Sequence, residues 1–206
     1  MYNDFVEEKL YYAIRNIREP ILRPITKILV LLGFRPDTLS YLGVVFMLFF
    51  IYFIRIDVLL SFCFLIGALF MDILDGTTAR YLEIQSDRGK FTDVSIDNLN
   101  FTLFVLGLTW ASLVSGLVAA VYIYFMLLVK VLMIVKKNIT KESDWLIRPM
   151  VGAFPNVFVY VSYIIFALYV FWGTDIFDFT FSVFSVLLVI KTSVDYWIIK
   201  NTVFVK

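Results

Sequence analysis

Between Met71 and Asn98 the chain reads MDILDGTTARYLEIQSDRGKFTDVSIDN, which places Asp72, Asp75, Asp87, Asp93 and Asp97 in one short stretch. At about 100° per residue, Asp72, Asp75, Gly76, Ala79 and Arg80 share one helical arc of roughly 140°. Gly89, Asp93 and Asp97 follow at i, i+4 and i+8 and share a face of the next helix. Two helices joined by a short loop are antiparallel neighbours, so these faces converge and Asp72, Asp75, Asp93 and Asp97 enter one cleft. Four unpaired carboxylates that close cannot all stay ionised. Two hard divalent cations resolve the conflict, because oxygen-rich sites suit magnesium, manganese or calcium. Gly76, Ala79 and Gly89 leave room for a ligand on the same faces. Arg80 is permanently charged and suited to clamping phosphate oxygens. Two metals, an arginine and small-residue walls together point to phosphoryl-group chemistry. Any single Asp here is better read as a cap or a turn residue; four on converging faces are not. Asp87 and Asp57 fall off the pattern and read as loop residues.

The rest of the chain must hold these carboxylates at a membrane edge. Of 206 residues, 61% are hydrophobic, 17% are charged and 22 are Phe, more apolar surface than a water-soluble domain of this size can hide. The expected fold is an all-α integral membrane protein, a single domain over 1–206 built as a six-transmembrane-helix bundle. Stretches of suitable length and apolarity fall at about 38–54, 58–77, 94–113, 116–135, 152–171 and 179–194. Pro155 is expected to kink the fifth near its start. Ahead of them, residues 4–33 are amphipathic: Val6, Leu10, Ile14 and Ile17 recur at helical spacing opposite Glu8, Arg15 and Arg18. Pro20 and Pro24 interrupt the pattern, and Ile21, Ile25, Ile28, Leu29 and Leu32 resume it. This region reads as one or two helices lying in the interface plane.

Lys and Arg set the orientation. They gather before the first span, between the second and third, between the fourth and fifth, and after the sixth. The opposite side holds only Arg55, beside Asp57, Asp175 and Asp178. Both termini and the Asp-rich stretch are therefore expected on the cytoplasmic side of the cell membrane. Lys130 and Lys191 fall inside spans near their cytoplasmic ends and read as snorkelling side chains. Cys63, the only cysteine, excludes an intrachain disulfide and reads as a small core filler. The absence of histidine excludes His-ligated metals, phosphohistidine and Ser–His catalysis. The acidic start MYNDFVEEKLYY is no secretory signal. No basic groove interleaved with aromatics suggests nucleic acid.

Asp72-x2-Asp75-Gly76-x2-Ala79-Arg80-x8-Gly89-x3-Asp93-x3-Asp97 is similar, with every fixed position filled, to the signature of the CDP-alcohol phosphatidyltransferase family. Six spans, an interfacial N-terminal helix and the motif across spans two and three resemble that family as well. The segment RPDTLS before span one looks like its Pro-Asn-x-x-Thr/Ser segment, with Asp37 in place of Asn. The resemblance implies transfer of a substituted phosphate from a CDP-alcohol lipid, usually CDP-diacylglycerol, to a polar hydroxyl acceptor, with release of CMP. It implies that Asp72, Asp75, Asp93 and Asp97 hold two ions, Mg2+ or Mn2+, and that Asp97 also takes the acceptor's proton. Gly76, Ala79, Arg80 and Gly89 would line the CDP site, and the protein would be a homodimer among membrane lipids.

Asn98 follows the last Asp where members that use glycerol phosphate often carry Lys and those that use inositol phosphate often carry Arg. In the loop KKNITKESDWLIRPMVG, Arg148 is a candidate for meeting an anionic acceptor or a lipid headgroup; an ordinary positive-inside loop explains it equally well. Two other classes compete. An intramembrane prenyltransferase also uses Asp-rich motifs and magnesium, but is usually longer, with two separate motifs. A divalent-cation transporter would place its carboxylates near the bilayer midplane and leaves Gly89 and Arg80 without a role.

Overall fold

A computed structural model describes residues 18–84, 86–140 and 154–203, all of them in helices or the short connections between helices. Residues 18–31 form α1; there follow α2 (Pro36–Phe53), α3 (Val58–Tyr81), α4 (Asp87–Trp110), α5 (Gly116–Thr140), α6 (Phe154–Trp172) and α7 (Phe177–Val203). Five of these, all but α1 and α4, are long and apolar enough to cross a membrane. The protein is an all-α, multi-spanning membrane protein. The described helices divide between two compact units. One holds the described residues up to 50 together with 63–100; the other holds 51–62 and the described residues from 101 onward.

In the first unit, local chemistry sets each helix end. Gly33, at φ +85°, closes α1: its N–H bonds the Val30 carbonyl and the Phe34 N–H bonds the Leu29 carbonyl. That pair of bonds satisfies carbonyls an α-helix leaves orphaned, and the left-handed turn it needs suits glycine. Pro36 then opens α2 at the first helical position, where its missing N–H costs nothing. Ser86 caps α4, its Oγ accepting from the Gly89 N–H at 3.1 Å. Leu22 of α1, Leu39 of α2 and Leu74 of α3 meet in a buried cluster that Leu29, Phe34, Met71 and Ile73 complete. The other face of α1 leaves Ile21, Ile25, Ile28 and Leu31 exposed.

The second unit is aromatic. Phe104 sits edge-on to Tyr163 at 4.8 Å, Tyr122 lies 4.7 Å from Phe181, and Phe158 stacks on Phe184 at 4.3 Å. Rings at these separations fill volume at little rotamer cost, and the tilted pairs place ring edges against faces. At the turns, Asp57 caps α3 by accepting from the Leu60 N–H, and Asp178 caps α5 by accepting from the Ser115 N–H at 2.7 Å. The Arg55 guanidinium lies over the Trp110 ring, 4.9 Å from its centre.

Several expectations shift. Asp87 is the first residue of α4, not a loop residue. Pro155 stands in the first turn of α6, where no hydrogen bond is lost and no kink is needed. Cys63 is exposed, on a surface that lipid can cover as well as protein can. Lys191 bonds the buried carboxylate of Asp195 one turn further along α7. Residues 18–31 stay helical through both Pro20 and Pro24. The stretch 4–17 of the expected interfacial region lies outside the described residues.

Candidate metal and donor site

The site is built within the first unit, from the last turns of α3 and the first turns of α4. Asp72, Asp75 and Asp93 each bring a carboxylate oxygen to within 4.8 Å of the other two. Asp75 is buried at 5% exposure, while Asp72 and Asp93 remain more open. Asp97 is not part of this tight group; it lies one turn further along α4.

A buried carboxylate needs its orientation fixed, and α2 supplies the means. The Ser40 hydroxyl donates to Asp75 Oδ2 at 2.5 Å, across 35 residues of sequence. A hydroxyl has one proton to give. The Pro36 carbonyl, at 3.2 Å, is the weaker alternative, so the proton points to Asp75. The serine belongs to the RPDTLS segment, yet nothing in its spacing tied it to a carboxylate.

Arg80 closes the other side of the α3 face. Helical side chains lean toward the N-terminus, and Gly76, one turn back, lets the guanidinium lie flat. A Cβ at residue 76 would stand 3.4 Å from Arg80 Nη1 and 4.0 Å from Nη2. Nη2 lies 3.4 Å from the Thr77 hydroxyl, and Nε donates to Glu19 Oε1 of α1 at 2.6 Å. Ala79 is half-buried in the last turn of α3, and its carbonyl accepts from the Ile84 N–H to end the helix. Gly89 is held by the Ser86 cap at the start of α4. Arg148 lies outside the described residues. Glu19 was missed by the sequence reading, since no spacing rule links it to a residue 61 positions away.

Three carboxylates this close, one of them buried, repel one another unless a proton or a cation comes between them. The donors are hard oxygens alone, and the chain has no histidine, so magnesium and manganese fit the site. An open pocket of roughly 500 Å³ in the second unit, lined by Thr109, Ser115, Asp175 and Asp178 among others, carries none of these residues. Asp178 there is engaged in capping α5.

The sequence profile of the CDP-alcohol phosphatidyltransferases matches residues 34–197. The chain belongs to the CDP-alcohol phosphatidyltransferase family. No curated protein matches it. As a CDP-alcohol phosphatidyltransferase it is an enzyme, a transferase of phospholipid synthesis that moves a phosphatidyl-type group from a CDP-alcohol to a hydroxyl acceptor and releases CMP. Membership decides against the prenyltransferase and the cation transporter. The matched residues include Ser40 and the whole carboxylate motif; Glu19 lies ahead of them.

Proposed function

We propose that the donor is a CDP-alcohol lipid, CDP-diacylglycerol being the leading candidate, and that Asp72, Asp75, Asp93 and Asp97 bind two divalent ions, Mg2+ or Mn2+. The clustering of Asp72, Asp75 and Asp93 oxygens within 4.8 Å carries this reading. When bound, such ions supply charge neutralisation for a pyrophosphate and acidify a nearby hydroxyl. The protein's own groups do the rest. Arg80, with its Nη atoms over Gly76, holds the donor's phosphate oxygens. Gly76, Ala79 and Gly89 keep the walls low enough for CDP to approach. Asp97, one turn from the tight group, takes the proton of the acceptor hydroxyl as its oxygen attacks phosphorus and CMP leaves. Arg148 is assigned to an anionic acceptor or headgroup.

In this reading α2 to α7 give six spans with α1 in the interface plane. Both termini and the site face the cytoplasm of the cell membrane, and the enzyme works as a homodimer. A site at that boundary lets CDP and a polar acceptor arrive from water while acyl chains stay in lipid. The test uses purified protein in detergent with CDP-diacylglycerol. CMP should appear only with Mg2+ or Mn2+ together with a suitable member of a panel of glycerol phosphate, inositol phosphate, serine, inositol and other polyols. CMP release unaffected by chelation would overturn the metal assignment.

A further inference from the structure

Among the described residues Arg80 makes one ion pair, with a residue outside the motif and ahead of the family match. Glu19 Oε1 takes the Nε hydrogen at 2.6 Å, with the Glu19 side chain 33% exposed and that of Arg80 17% exposed. Nε is the stem end of a guanidinium, and the Nη pair is its far end. The Nη pair leans back over Gly76 and beside the Thr77 hydroxyl, and Glu19 holds the other end, at Nε. Glu19 therefore does not stand where a phosphate bound to the Nη pair would stand.

The helix that carries Glu19 is itself seated. Leu22 and Thr26, three and seven residues on and on the same face, are buried at 7% and 0% exposure, Leu22 against Leu39 and Leu74. Leu74 is the immediate neighbour of Asp75. An arginine has several rotatable bonds, and a free guanidinium sweeps a wide arc; a carboxylate on a docked helix removes that freedom before the ligand arrives.

We propose that Glu19 is a positioning residue for donor recognition, holding the Arg80 guanidinium by Nε so that its Nη fork is presented to the phosphates of the CDP-alcohol. This rests on the donor-site reading of Arg80 given above. The amphipathic N-terminal helix thereby takes part in substrate binding, in addition to lying against lipid.

The test measures binding of CDP-diacylglycerol to full-length protein in Mg2+, and separately binding of Mn2+ alone. Glu19→Met keeps length and packing but cannot accept a hydrogen bond. It should weaken donor binding roughly 10-fold or more, the scale of one hydrogen bond to a charged group, and leave Mn2+ affinity within about 2-fold. Glu19→Gln still offers an amide oxygen to Nε and should retain most of the donor affinity. In an Arg80→Ala background, adding Glu19→Met should cost nothing further, because the two act as one unit. Glu19→Met binding the donor as wild type does, or costing as much without Arg80 as with it, would overturn the proposal. So would equal losses for Glu19→Gln and Glu19→Met, or parallel loss of Mn2+ binding, which would mark general disruption. If Arg80→Ala itself binds donor normally, the donor-site reading falls and the proposal falls with it; if only Arg80→Ala is impaired, the proposal falls alone.

Discussion

Asp75 shows what one residue's surroundings add to its chemistry. It is the most buried member of the acidic group, and Ser40 fixes it with a 2.5 Å hydrogen bond. Groups that orient a metal ligand typically cost 10–100-fold in metal affinity when removed. Ser40→Ala should therefore weaken Mn2+ binding by about that factor, and Ser40→Thr, which keeps the hydroxyl, should retain it; calorimetric titration with Mn2+ reads both. Asp72→Asn and Asp93→Asn remove charge from the group itself, so activity should fall and excess Mg2+ should restore part of it. Asp97→Asn differs, since it removes the proton acceptor while leaving one oxygen that can still coordinate. Donor binding should survive while turnover drops on the order of 10²–10⁴-fold, the usual worth of a general base. Near wild-type turnover in Asp97→Asn would exclude it as the base. The four carboxylates were legible because helical spacing is local: Asp72 and Asp75, or Asp93 and Asp97, show their shared faces within one or two turns. Ser40 and Glu19 were not, because they reach their partners across 35 and 61 residues, and only tertiary packing decides which distant side chains meet.

At the scale of elements, the corner between α1 and α2 decides where both Glu19 and Ser40 stand. Gly33 turns that corner at φ +85°, and nothing lies within 4 Å of where its Cβ would be. The cost of a side chain there is therefore conformational and not steric crowding by neighbours. Gly33→Ala should lower stability by about 1–2 kcal/mol, the penalty for an L-residue in the left-handed region, measured as thermal unfolding in detergent. Gly76 makes the opposite case. It sits inside α3, where Ala is favoured over Gly by roughly 1 kcal/mol, and its Cβ would touch Arg80 Nη1 at an ordinary contact distance of 3.4 Å. Gly76→Ala should unfold at the same temperature or higher yet bind CDP-diacylglycerol more weakly, because the methyl fills the space beneath the guanidinium. Equal donor affinity would show that the space is not used. The apolar runs revealed the spans but not their ends. The sixth stretch, read as 179–194, extends as α7 to Val203, and the second, read as 58–77, extends as α3 to Tyr81. Hydropathy reports the thickness of lipid a segment can occupy, whereas backbone hydrogen bonding carries the helix on through Lys191, Asp195 and Arg80.

For the whole molecule, parity of crossing decides which side of the membrane each end occupies, and α4 decides parity. Its composition fails the test for a span, because Asp93 and Asp97 occupy its first half. Its length does not fail: 24 residues at about 1.5 Å each give roughly 36 Å, more than a hydrocarbon core of about 30 Å. Each half of α4 also has a partner of its own. Asp93 meets Asp72 and Asp75 in the last turns of α3, while Trp110 lies under Arg55, just before α3 begins. The proposed six-span reading has α4 cross together with α3. On that reading the polar half of α4 would be tolerable, because its carboxylates would face a cation site at one boundary and not lipid at the midplane. On the proposed six-span reading the chain would return to the side it left, and the Lys/Arg excess would make that side cytoplasmic. Reporter tags placed before Met1 and after Lys206 should both be protected in sealed right-side-out vesicles and both become accessible on permeabilisation. One tag accessible and one protected would mean that α4 does not cross. Both accessible from outside would keep six crossings but reverse the orientation, placing the carboxylates on the outer side.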